Sequence, residues 1–113
     1  MRKIEAIIRP ESFQKMREAL VGQGVQGLTV SEVAGFGSHK GQTGVFRGNA
    51  FERQFQPKVK VEMVLEESRV EGVIRAIREN CLTGEVGDGK IFIYAIENAV
   101  RIRTNERGTP AIR

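Results

Sequence analysis

From Gly84 to Phe92 the chain reads GEVGDGKIF, and Arg101 and Arg103 follow shortly after. Gly87 and Gly89 accept positive φ without steric cost, so successive N–H groups can turn inward around an anion of phosphate size, and Lys90 adds a mobile ammonium. Arg101 and Arg103 are two apart, so on a strand they would share one face and reach the same polyphosphate. Asp-Gly between apolar runs is also a strong hairpin signal. Taken alone, the four residues GDGK favour the turn, and the surrounding chain has to decide.

Two similar units flank a long connection. Lys3 to Arg9 (KIEAIIR) is strand-like and is stopped by Pro10. Phe13, Met16, Arg17 and Leu20 follow at helical spacing toward Gly22 and Gly24. A second strand is expected over Val25–Phe36, from Leu28, Thr29, Val30 and Val33. KVKVEMVL (58–65) alternates strictly, placing Val59, Val61, Met63 and Leu65 on one face. Ser68 to Leu82 carries Val70, Val73, Ile74, Ile77 and Cys81 on one helical stripe, and KIFIYAI (90–96) is the next strand. Two β-α-β units imply an α+β fold, a ferredoxin-like βαββαβ sandwich whose antiparallel sheet carries both helices on one face. Because 91–96 is apolar on both faces, something else should cover the second face, and a closed oligomer of sheets does so economically. Residues 37–56 (GSHKGQTGVFRGNAFERQFQ) form a loop of about 20 residues, a length that suits a partner-binding segment or an arm between subunits.

At 113 residues the chain reads as one domain, 1–113, ending in a tail over about 104–113. It has no apolar run of membrane-span length and no signal-peptide core, so a cytoplasmic protein is expected. The single cysteine, Cys81, reads as a buried inert thiol. A net charge of +4 suits anionic ligands but is too small and dispersed to argue for nucleic acid.

Six blocks in order, KIEAIIRP (3–10), GLTVSEVAGFG (27–37), KGQT (40–43), PKVKVE (57–62), TGEVGDGKIF (83–92) and VRIRT (100–104), make the chain resemble the PII family of nitrogen-regulatory signal proteins along almost its whole length. The resemblance turns GDGK into a phosphate loop. It implies a homotrimer in which ATP and ADP compete for clefts between neighbouring subunits, with 2-oxoglutarate binding beside Mg-ATP. The nucleotide would contact Thr29, Gly35, Phe36, Gly37, Ser38, Val64, Gly87, Asp88, Gly89, Lys90, Arg101 and Arg103. The second effector, 2-oxoglutarate or another carboxylate, would meet His39, Lys40, Gly41 and Lys58. The 37–56 segment would be the T-loop that contacts a target such as a transporter or metabolic enzyme. Any membrane association would come through a transporter partner, and no nucleic acid is implied.

Several positions depart from the family pattern. Phe51 replaces the tyrosine that many relatives uridylylate, and Asn49 replaces a phosphorylated serine, so neither modification is expected. Ser38-His39-Lys40 stands where relatives commonly read RQK. That removes an arginine for the terminal phosphate and puts an imidazole where a glutamine usually meets Mg, an ion that prefers oxygen ligands. Weak or absent 2-oxoglutarate binding is therefore expected, and a solvated His39 with no role is the plainer alternative. Phe46, Phe51 and Phe55 can anchor a partner, with Arg47 and Arg53 beside them. The leading expectation is a nucleotide-sensing regulator without catalysis. An adenylate-energy sensor indifferent to 2-oxoglutarate and controlling a transporter or carbon uptake is the nearest alternative. A slow ATP-hydrolysing or phosphotransfer enzyme using His39 is another, although no second group is placed to orient its imidazole.

Overall fold

The computed structural model describes residues 1–36 and 55–113. The elements are β1 (Arg2–Ile8), α1 (Phe13–Gly22), β2 (Thr29–Phe36), β3 (Phe55–Leu65), α2 (Val70–Cys81), β4 (Lys90–Ala95) and a short α3 (Thr109–Ile112), with 3-10 turns leading into α1 and α2. The sheet is antiparallel in the order β2-β3-β1-β4, the ferredoxin-like arrangement.

Strand alternation builds the core. Ile4, Ala6 and Ile8 of β1 and Val59, Val61, Met63 and Leu65 of β3 are buried toward the helices, where Met16 and Leu20 of α1 and Val70, Val73, Ala76, Ile77 and Cys81 of α2 meet them. Each fully buried aliphatic side chain contributes about 1.5–3 kcal/mol relative to exposure. Cys81 is buried as expected, and that burial pushes the pKa of its thiol up.

Three expectations shift. The second strand begins at Thr29, because residues 25–28 lead out of α1 without pairing. β3 begins at Phe55, since Phe36↔Phe55 and Gly35↔Gln56 already pair, and this trims the expected 37–56 loop. The third correction concerns Arg101 and Arg103, which lie on no strand. Residues 102–104 form a turn closed by an isolated Val100↔Arg107 bridge, with Asn105 at φ 61° reversing the chain, so the two arginines are not paired on one strand face.

The open face is less apolar than 91–96 alone implies. Phe92 and Tyr94 lie there, but so do Lys3, Glu5, Lys60 and Glu62. Lys3 Nζ is 2.7 Å from the Glu62 carboxylate and 5.2 Å from the Tyr94 ring centroid, and the Tyr94 hydroxyl donates to Glu5 at 3.4 Å. On the other face Ile93 is 50% exposed, because α2 does not extend over the edge strand.

Candidate functional site

The glycine segment does not join two strands. It connects the end of α2 to β4, and it closes on Asp88. The backbone N–H groups of Thr83 and Gly84 each donate to Asp88 Oδ2 at 2.9 Å, and the Thr83 hydroxyl donates to Oδ1. These bonds hold the Asp88 pKa down to about 2, the Thr83 hydroxyl first and its N–H next. The carboxylate therefore faces into the loop, and Asp88, assigned from sequence to the nucleotide, acts through its side chain as the loop's keystone.

The sign of this coupling is definite. A depressed carboxylate stabilises the fold above its ordinary value of 3.8, and that contribution is lost as pH falls from about 4 toward 2. Asp88→Asn should lower the urea midpoint at pH 7, and the gap to the parent should close by about pH 2. A gap independent of pH would mean that the charge does not hold the loop.

Arg9 is the residue that sequence reasoning passed over, having read it only as the end of a strand. Its Nη2 donates to the Val86 carbonyl at 2.9 Å and lies 3.4 Å from Asp88 Oδ1, while its enclosed Nε has no hydrogen-bond partner among the described residues. A cation between a strand end and a following proline, facing the strand that carries Lys90, was the available signal. Lys58 reaches the same place, donating from Nζ to the Gly87 carbonyl at 2.7 Å. Its stem crosses Gly35, where a Cβ would sit 3.1 Å from Lys58 Cγ. Burial lowers the Lys58 pKa, and repulsion from Arg9 lowers it further. Two cations thus crowd into one half-buried corner with Asp88 as the facing carboxylate, a surplus of positive charge that favours an anion.

The remaining assigned residues lie elsewhere. Thr29 pairs with Glu62 and Gly35 with Gln56. Thr29 and Gly35 are thus six residues apart along the ladder, about 20 Å at a strand's rise. Val64 lies at the Thr29 end and lines a cleft of about 520 Å³ with Gly27, Glu66, Ile112 and Arg113. Arg101 is also at that end, bonded to residues of the same C-terminal segment. Arg103 makes no hydrogen bond or ion pair among the described residues. Within one chain the assigned residues therefore form two groups. Gly35, Phe36, Lys58 and Gly87–Lys90 are at one end of the sheet, and Thr29, Val64, Arg101 and Arg103 at the other. Gly37, Ser38, His39, Lys40, Gly41, Phe46, Arg47, Asn49, Phe51 and Arg53 lie outside the described residues. Phe55 is on β3 and exposed.

Residues 1–106 match the family described as Nitrogen regulatory protein P-II. A protein of that name from Rhodospirillum rubrum is 54% identical over 112 residues, covering 99% of this chain and 100% of the relative. Its namesake from Azospirillum brasilense is 50% identical over the same shares of both chains. Among solved structures, the crystal structure of Arabidopsis thaliana PII bound to citrate superposes with a TM-score of 0.80 at 40% identity, covering 99% of this chain and 89% of that one. No helix among the described residues is long and apolar enough to cross a membrane.

Proposed function

The chain belongs to the nitrogen regulatory protein P-II family, and on that footing we propose that it is a homotrimeric sensor that binds ATP or ADP between subunits and regulates a target through residues 37–56. The whole of 1–113 acts as one unit in this reading, with the C-terminal tail beside the nucleotide. The observation that carries it is the separation of the two assigned groups by about 20 Å of sheet. A nucleotide is too short to bridge both groups of one chain, but it can lie between the Gly87–Lys90 loop of one copy and the Arg101–Arg103 turn of the next. The charged network of Lys3, Glu5, Glu62 and Tyr94 would then face the other subunits across the open sheet face.

In this arrangement Gly87, Gly89 and Lys90 take the phosphates, Thr29 and Val64 flank the base, and Asp88 keeps the loop shaped. Arg9 and Lys58 form a carboxylate subsite, where an incoming acid would displace the Gly87 carbonyl from Lys58 and relieve the repulsion between the two cations. The Arabidopsis thaliana PII is described as bound to citrate, so a relative of this chain takes a carboxylate ligand. His39, Lys40 and Gly41 would complete the effector site, with His39 in the place of a Mg ligand. A metabolite whose binding reshapes the base of the loop must change the loop's affinity for its partner, with couplings of about 1–3 kcal/mol. Regulation needs no covalent chemistry, and the curated relatives carry the names of regulators.

Calorimetric titration with ATP and ADP in Mg, with and without 2-oxoglutarate, tests the reading. Both nucleotides should bind in the micromolar range or tighter. If 2-oxoglutarate tightens ATP, the protein senses carbon and nitrogen status despite His39. If nucleotides bind and 2-oxoglutarate changes nothing, the second reading, an adenylate-energy sensor acting on a transporter or carbon-uptake system, takes its place. Absence of nucleotide binding would overturn both.

A further inference from the structure

Arg101 is assigned to the nucleotide, yet its guanidinium is already held by the chain's own C-terminal segment. Nη1 donates to Glu106 Oε1 at 2.9 Å, and Nη2 donates to the carbonyls of Pro110, at 3.0 Å, and Arg113. Glu106 is itself fixed, because the Thr104 hydroxyl donates to its carboxylate at 2.7 Å and its backbone carbonyl accepts the Arg101 N–H at 2.9 Å. The far end is tied to the residue that follows β3, where Arg113 Nε pairs with Glu66 at 3.1 Å. Ile112 and Arg113 wall the same cleft that Val64 lines. Gly108, at φ 70°, turns the chain into this position, and the Ala111 N–H bonds back to the Gly108 carbonyl.

We infer that residues 106–113 are an autoinhibitory latch on the nucleotide site, holding Arg101 against Glu106 and the α3 carbonyls until a nucleotide phosphate competes it away. This rests on the nucleotide reading above and adds a regulatory element to it. A phosphate carries more charge than Glu106 and can accept Arg101 through two parallel bonds, so it is a competent rival. The held state reduces apparent affinity by the fraction of molecules in which Arg101 is free. Because the Glu106 and Glu66 side chains are partly solvated, the ion pairs of the latch are weak enough to open under a ligand.

The test compares the parent, a chain ended after Gly108, and Glu106→Gln in the full chain. Both variants should bind Mg-ATP more tightly, by about tenfold if one parent molecule in ten is open at rest. In the parent, saturating Mg-ATP should speed amide hydrogen exchange at Gly108 and Ala111, whose N–H groups are bonded to the Ala99 and Gly108 carbonyls in the latched state. Equal or weaker binding by both variants, or slower exchange with ATP, would overturn the latch. The slower exchange would mean that the tail closes over nucleotide instead of yielding to it. If neither parent nor variants bind Mg-ATP, the nucleotide reading fails and takes the latch with it, whereas equal binding by all three removes the latch alone.

Discussion

Replacing Gly89 by alanine is expected to cost at least about 3 kcal/mol of stability and to abolish nucleotide binding, the largest single-residue effect outside the core. Gly89 sits at φ 104°, and a Cβ there would be 1.8 Å from the Ile7 carbonyl oxygen. That oxygen belongs to backbone and cannot rotate away, so the loop or β1 has to move. The first pair of the β1–β4 ladder, Ile7↔Lys90, lies next to the clash and would open with it. Gly84→Ala is the control. Gly84 has φ 87°, but a Cβ at that position would meet nothing within 4 Å, so only backbone strain of about 1–2 kcal/mol applies. Urea unfolding of both variants with parallel Mg-ATP titrations decides the matter. Equal costs at the two positions would show that close approach to Ile7 is not what requires glycine at 89.

The second large effect is on binding alone. Lys90→Ala and Arg103→Ala should each weaken Mg-ATP by about 10- to 100-fold, the value of a charge-assisted phosphate contact, with little change in melting temperature because both side chains are exposed. Separation of the two groups along the sheet makes a stronger prediction. If each site takes its loop from one subunit and its arginines from the next, trimers reassembled from equal amounts of the two variants regain high-affinity sites at about a quarter of the total, since each intact half is supplied half the time. Mixing after denaturation, followed by titration, counts them. Recovery of none, from variants that have exchanged subunits, would place both groups in one chain's site and contradict the arrangement between copies.

Much of the architecture was legible because it depends on local periods. The alternation of Val59, Val61, Met63 and Leu65 and the stripe of Val73, Ile77 and Cys81 each specify an element and its buried face, and both lie in the core as read. The turn over 102–104 was not legible. VRIRT has a strand's composition, and only the Asn105 backbone, the bridge to Arg107 and the pull of Glu106 on Arg101 make it turn. Among site residues, the glycines and Lys90 announce themselves by type. Arg9 does not, because a basic residue at the end of a strand is ordinary until the loop that it meets, 77 residues away, is known.

By itself, the order of residue types determined the family, the βαββαβ succession and the presence of a glycine-rich loop beside cations. These follow from patterns spanning a few residues each, and from several blocks keeping their order along the chain. Only the tertiary structure decided what the charges do. It turned Asp88 inward as a structural acceptor, brought Arg9 from just beyond β1 together with Lys58 of β3, clasped Arg101 with the C-terminal segment and set the two halves of the nucleotide assignment at opposite ends of the sheet. Electrostatic roles depend on distance and burial, and contacts between residues far apart in sequence are set by the packing of the sheet, which no local pattern encodes.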